Sequence, residues 1–209
     1  SVGTIVAQVQ AMKQLVNEFR DYARLPSVKL KVLDLNGLVA EVLALYGQAQ
    51  EHGRLSADLH EGLPAIVGDA TQLRQVVHNL VQNSLDAVAD RADGHVMVAT
   101  EPVCNEQGEV RAVRLRVVDN GPGFAENVLR RAFEPYVTTK SKGTGLGLAV
   151  VKKIAEEHGA RVRLGNLEHS EADGEAPRVV GAQVSLSFSN LAPAQASSPP
   201  AADISSQAH

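Results

Sequence analysis

The chain has 209 residues, 44% of them hydrophobic, a formal net charge of -4 and an isoelectric point near 6.0. That is enough for one good core plus an appendage, and it lacks the bulk positive charge that a nucleic-acid binder carries. A single cysteine, Cys104, has no internal disulfide partner and no metal-ligand spacing with the seven histidines, which implies a reduced, structural thiol and a cytoplasmic setting. No stretch approaches the roughly 18 to 20 unbroken apolar residues of a bilayer span, and no secretory signal opens the chain. No membrane contact by this chain is expected; any inner-membrane anchor of a longer parent protein lies outside it.

Val2, Ile5, Val9, Met12, Val16, Phe19 and Ala23 alternate at spacings of three and four, predicting a helix that Pro26 ends. It either packs along a bundle seam or lies amphipathically on its own domain. Asp34 is placed to cap a second helix, in which Leu35, Leu38, Val39, Val42, Leu43 and Tyr46 follow the helical period as far as His52-Gly53. Leu55, Ala57 and Leu59 alternate as a strand, and a long helix follows with Leu73, Val76, Val77, Leu80, Val81, Leu85 and Val88 on its apolar face. Residues 95 to 101 and 111 to 118 predict a hairpin, 147 to 157 a helix, and 161 to 167 and 179 to 188 two further strands joined by a polar loop. Neighbouring strands with segregated helices imply an α+β sandwich rather than a doubly wound sheet. The tail from Leu191 is rich in Ala, Pro, Ser and Gln, and is expected to be disordered.

Three segments carry chemistry. On the long helix, Asn79, Asn83 and Asp86 fall within an arc of about 60° beside the apolar face. Their oxygens suit a hard cation, or form a solvated polar stripe. Asp119-Asn120-Gly121-Pro122-Gly123 follows the end of a predicted strand. A carboxylate there, with glycines that let a ligand approach the backbone, suits a binding site; an ordinary Asp-Asn-Gly turn is the alternative. Thr138-Thr139-Lys140-Ser141-Lys142-Gly143-Thr144-Gly145-Leu146-Gly147-Leu148 runs into the helix of 147 to 157. Free amides and the positive end of the dipole favour phosphate there, and two lysines stand beside it; a flexible hinge is the plainer reading.

The familiar phosphate motifs do not account for this segment, because its glycines read G-x-G-x-G and no G-x-x-x-x-G-K-[ST] occurs. Protein-kinase H-R-D and D-F-G motifs and a G-x-S-x-G elbow are likewise absent. His52, His60, His78, His95, His158 and His169 never pair at metal spacing.

In this order the three segments resemble the N, G1 and G2 boxes of the GHKL ATPase superfamily, in its histidine-kinase branch. Phe133-Glu134-Pro135-Tyr136 with Thr138-Thr139-Lys140 resembles the F box and ATP lid of that branch. The likeness covers about residues 34 to 188, and Phe19 through Pro26 is similar to the second stem helix of nitrogen-regulation sensor kinases. The resemblance implies a two-layer α/β sandwich of the Bergerat ATP-binding type, a mixed sheet covered on one face by helices, behind an N-terminal dimerisation-stem helix. The expected organisation is a truncated stem helix over 1 to 26, an ATP-binding catalytic domain over 27 to 190 and the tail over 191 to 209.

By the same resemblance, Asn83 coordinates the Mg2+ that bridges the ATP phosphates, with Asn79 beside it, and Asp86 belongs to the ATP site. Asp119 accepts a hydrogen bond from the adenine amino group, and Gly121 and Gly123 admit the base. Gly143, Thr144, Gly145, Leu146, Gly147 and Leu148 lie against the phosphates, while Thr139 and Lys140 belong to the lid. Hydrolytic members of the superfamily carry a glutamate where this chain has Asn79, and an amide cannot take a proton from water. A protein nucleophile is therefore implied: a stem histidine, from which phosphate passes to a response-regulator receiver domain, with the stem forming a homodimer. The H-E-x-x-[NT]-P box of the acceptor histidine is absent and His78 is not a substitute, so this chain alone is not expected to autophosphorylate. Ala182 replaces the threonine that often follows the glycine of the last strand. The alternative function is a nucleotide-sensing regulatory module that binds ATP without transferring phosphate and controls a partner or a phosphatase output.

Overall fold

A computed structural model describes residues 2–23, 27–134, 147–170 and 176–193. The first helix, α1 (Val2–Ala23), takes the predicted course. Its seam does not lie on the rest of the chain, since Ile5, Met12 and Val16 are each more than 60% exposed. Among the described residues, its C-terminal end meets the rest: Lys153 Nζ donates to the Tyr22 carbonyl at 2.8 Å and stands 5.2 Å from the Tyr22 ring. Pro26 lies outside the described residues.

The chain then forms β1 (Lys31–Leu33), α2 (Leu35–Ala44), α3 (Gly47–Glu51), β2 (Leu55–Leu59) and β3 (Ile66–Gly68). The single helix expected from Asp34 to His52 is two helices. At the break, Leu45 and Tyr46 turn their amides to carbonyls three residues back, Val42 and Leu43, so the α-helical ladder tightens and ends. Asp34 occupies the capping position but its side chain makes no capping bond. β1 pairs antiparallel with β3 in a two-stranded sheet that three-residue runs are too short to announce.

The long helix is α4 (Ala70–Ala87). Asp69 caps it, Oδ1 accepting from the amides of Thr71 (3.0 Å) and Gln72 (3.2 Å), while Oδ2 accepts from the Lys29 amide at 2.8 Å and ties down the entering chain. Burial works against this carboxylate, but the Lys29, Gln72 and Thr71 amides and neighbouring His158 outweigh it, and its pKa falls below the ordinary value. His158 is buried; Nε2 accepts from the Asp69 amide (2.9 Å) and Nδ1 donates to the Ile154 carbonyl (2.8 Å).

There follow β4 (Val96–Cys104), β5 (Val110–Asp119), α5 (Glu126–Arg131), α6 (Gly147–Glu157), β6 (Arg161–His169) and β7 (Arg178–Phe188). Cys104, expected as a structural thiol, is instead exposed at the end of β4. The main sheet has the order β2-β4-β5-β7-β6; β2 and β4 run parallel and the other pairs antiparallel. This is the expected α+β sandwich. Val98, Val113, Leu115, Val117, Val184, Leu186 and Phe188 face one side and form a single core with α2, α4 and α6, whose contributions include Val39, Leu73, Val77, Leu80, Val151 and Ile154. The pairing extends past 190: Leu191 bridges Ile66, and the Ala192 amide donates to the Ala65 carbonyl at 2.8 Å. The remainder of the expected tail, from 194, lies outside the described residues.

One glycine fixes how closely β7 approaches β5. A Cβ on Gly181 would lie 2.0 Å from the Asp119 carbonyl oxygen, so a side chain there forces the strands apart. Gly181→Ala is expected to cost about 3 kcal/mol or more, at the upper end of overpacking penalties, read as a lower urea midpoint.

Candidate functional site

Asp119 ends β5 on the core side of the sheet and is only 6% exposed. Its Oδ1 accepts from the Gly121 amide at 2.9 Å, the Ser84 hydroxyl donates to it from α4, and the Ala182 amide donates from β7. Burial raises the pKa of this carboxyl above the ordinary value, and these three donors oppose the rise without cancelling it. The result is an acceptor placed by three elements at the mouth of the core. The Asp-Asn-Gly segment is not a hairpin turn, since it runs from β5 towards α5 and not back along a neighbouring strand.

The loop beyond Asp119 is pinned on both sides. Asn120 Oδ1 accepts from the His95 amide (2.7 Å) and its Nδ2 donates to the Asp93 carbonyl (2.8 Å). Asn166 of β6 clamps Phe124, accepting from its amide at 2.7 Å and donating to its carbonyl at 2.8 Å. Gly123 has φ +77°, and a Cβ there would sit 2.5 Å from Val179 Cγ1 and 2.8 Å from Asn166 Oδ1. At Gly121 a Cβ would meet Asp119 Oδ1 at 2.9 Å and the Ala87 carbonyl at 3.1 Å. Both positions need glycine for the loop to pass, whatever else it does.

On α4, Asn79 and Asn83 stand one turn apart and half-buried. Both face the start of α6. Asn79 Nδ2 donates to the Gly147 carbonyl at 3.4 Å, a long bond, and a Cβ on Gly147 would lie 3.4 Å from Asn83 Nδ2. The N-terminus of α6 is thus set against the two amides. Asp86 is exposed, accepts from Gln82 Nε2 at 2.9 Å and acts electrostatically on Tyr46. Tyr46 Oη lies 2.5 Å from His78 Nδ1, and burial first, then the Asp86 charge, push its pKa up to about 12. Leu148 is half-buried behind Gly147. Thr139, Lys140, Gly143, Thr144, Gly145 and Leu146 lie outside the described residues. At the edge of that segment, Lys152 Nζ stands 5.8 Å from the Phe133 ring.

Sequence reasoning missed Ser84 and Asn166. Ser84 had a signal: it continues the stripe Leu73, Val77, Val81, Val88, and a buried serine on an apolar helix face needs a partner. Asn166 had none, because its partner is the backbone of a loop 42 residues away.

A family model described as the histidine kinase-, DNA gyrase B- and HSP90-like ATPase matches residues 68–190, and the chain belongs to that family. Its curated relatives include the nitrogen regulation protein NtrY of Azorhizobium caulinodans, 31% identical over 169 residues that cover 77% of this chain and 21% of that protein. The sensory histidine kinase/phosphatase NtrB of Rhizobium leguminosarum bv. phaseoli is 36% identical over 163 residues, covering 74% and 41% respectively. Among solved structures, full-length ShkA in complex with AMPPNP matches with a TM-score of 0.69 and 28% identity, over 90% of this chain and 38% of that one. The chain spans between 21% and 41% of the length of these two curated relatives.

Because the native state holds the Asp119 proton more tightly than the unfolded chain does, stability falls as pH rises from the ordinary value of 3.8 through the raised native one, and stays lowered above it. Asp119→Asn keeps the shape without the charge. Urea melts of the ligand-free protein between pH 4 and 8 are expected to lose this slope, with the variant at least as stable as the wild type at neutral pH.

Proposed function

We propose that the chain is the ATP-binding catalytic region of a two-component sensor histidine kinase, with 1 to 26 as the second stem helix and 27 to 190 as the catalytic domain. The observation that carries this reading is convergence: Ser84 ties the asparagine-bearing helix to Asp119, and Asn79 and Asn83 meet the head of α6 at Gly147. One nucleotide laid along these parts would give its adenine amino group to Asp119 and its phosphates to the start of α6. A buried acceptor rejects a base that presents a carbonyl in place of the amino group, which selects ATP over GTP. Ser84 takes on particular weight because Ala182 has no hydroxyl to help hold Asp119.

The amide oxygens of Asn83 and Asn79 are hard donors that suit Mg2+, an ion that is content with one or two protein ligands when phosphate oxygens share it. When bound, it would neutralise phosphate charge. The lid residues Thr139 and Lys140, with Gly143, Thr144, Gly145 and Leu146, would complete the phosphate side. Since Asn79 cannot act as a base toward water, the γ-phosphoryl group goes to an imidazole nitrogen of a stem histidine outside the seven in this sequence, ADP leaves, and the phosphate passes on to a receiver domain. Positioning and charge neutralisation supply the catalysis. The exposed seam of α1 supports a homodimer formed through the stem. No described helix is long and apolar enough to cross a membrane, and we place the domain in the cytoplasm.

Titration of the full chain with Mg-ATP tests the pocket: Asp119→Ala is expected to weaken binding tenfold or more, and Ser84→Ala about fivefold, the worth of roughly 1 kcal/mol for one hydrogen bond. Mixing the chain with an intact histidine-bearing stem and γ-labelled ATP tests the reaction. Label on the stem histidine supports the kinase; tight ATP binding with no transfer supports the nucleotide-sensing module instead.

A further inference from the structure

The helices cover one face of the main sheet, and the other face carries a cluster of arginines. On β5 the residues alternate: Val113, Leu115 and Val117 go to the core, and Arg114 and Arg116 to the far side. The register continues the pattern across β7 to the edge strand β6, where Arg114 aligns with Ser187 and Arg161, and Arg116 with Ser185 and Arg163. Four guanidinium groups thus stand on one half of an open sheet, with small serines between them. Among the described residues the acids of this face are fewer: Glu101 on β4, opposite Arg114, and Asp58 at the far edge on β2. In a chain of net charge -4 this is a local reversal of sign.

Glu101 displays the chemistry that the cluster accepts. One of its oxygens lies 3.1 Å from Arg114 Nη1 and 3.5 Å from Arg116 Nε, so a single carboxylate serves two arginines. Arg114 Nε also donates to Ser187 Oγ at 3.2 Å, and Arg116 Nη1 to Gln183 Oε1 at 3.4 Å. Arg161 and Arg163 are exposed, and among the described residues neither has an ion-pair partner.

We infer that this face is a docking surface for an acidic protein segment. The strand geometry sets the spacing: Arg161 and Arg163 are about 7 Å apart along β6, Arg114 and Arg116 equally so on β5, and the two pairs lie about 10 Å apart with β7 between. An extended segment with a carboxylate at every second residue repeats at that same roughly 7 Å interval, so it can lie along β6 and offer successive acids to Arg161 and Arg163. Arginine forks favour planar carboxylates bound through two nitrogens; Glu101 hydrogen-bonds Arg114 alone, and Arg116 Nε, 3.5 Å from the same oxygen, is left without a hydrogen bond. The surface is independent of the nucleotide reading: its rows lie towards the Phe188 end of β7, whereas Asp119 aligns with Ala182 at the other end of the paired segment.

The test is fluorescence anisotropy of a synthetic peptide of alternating glutamate and serine with the full chain, at low salt, comparing wild type with R161E/R163E. The variant is expected to bind at least roughly tenfold more weakly, since both pairs turn repulsive. Raising the salt should weaken the wild-type complex, because exposed pairs are screened. An unchanged urea midpoint and unchanged Mg-ATP affinity would show that the variant is folded. Absence of peptide binding, or equal binding by the variant, would overturn the proposal. So would capture by phosphatidylserine vesicles in place of the peptide, if the same two substitutions abolish it.

Discussion

An ionisable acid sealed into the end of a sheet is costly, and much of this domain's local structure is the means of keeping one there. Asp119 is held by the Gly121 amide, the Ser84 hydroxyl and the Ala182 amide. Each donor depends on a further constraint. Ser84 requires α4 in its present rotation, which the Asp69 cap and the buried stripe of α4 fix. The Ala182 amide requires β7 to run close against β5, which Gly181 permits. The Gly121 amide requires a loop that Asn120 and Asn166 clamp from opposite sides. Burial nevertheless leaves the pKa raised. A group that costs stability and is so fully supported fits a binding acceptor better than a structural one.

The same helix that starts against the asparagines also reaches α1. The N-terminus of α6 sits at Asn79 and Asn83, and about one and two-thirds turns later Lys153 holds the last described turn of α1 through the Tyr22 carbonyl and ring. Any shift of α6 would therefore be felt directly at the end of α1. Among the described residues that contact comprises the Lys153 hydrogen bond and cation–π approach and the packing of partly buried Tyr22 against the core. The long seam of α1 remains open for another helix.

Much of the fold was legible because its elements are long and strongly periodic. The helix at 147 to 157 and the long helix of α4 follow directly from apolar spacing, and the hairpin of β4 and β5 from valine-rich alternation. What stayed hidden was short or non-local. β1 and β3 have three residues each, too few to establish a period, and exist because each supplies the other's hydrogen bonds. α5 has six residues with one buried side chain. The break at Leu45 and Tyr46 leaves the apolar pattern uninterrupted, so spacing could not reveal it. In the candidate site, residue types singled out Asp119 and the two asparagines, and only the tertiary structure decided between a turn and a loop after Asp119. Ser84 was readable as a polar residue on an apolar stripe. Asn166 was not readable at all, because nothing local connects it to Phe124.

The role proposed for Asp119 is to read the six-position of a purine. A calorimetric comparison of Mg-ATP with Mg-ITP tests this most directly, since ITP carries a carbonyl in place of the six-amino group and a hydrogen on the neighbouring N1. Preference for ATP by a factor of about ten or more, the worth of leaving one buried acceptor facing another, is the predicted result. Equal affinities for the two nucleotides would contradict it.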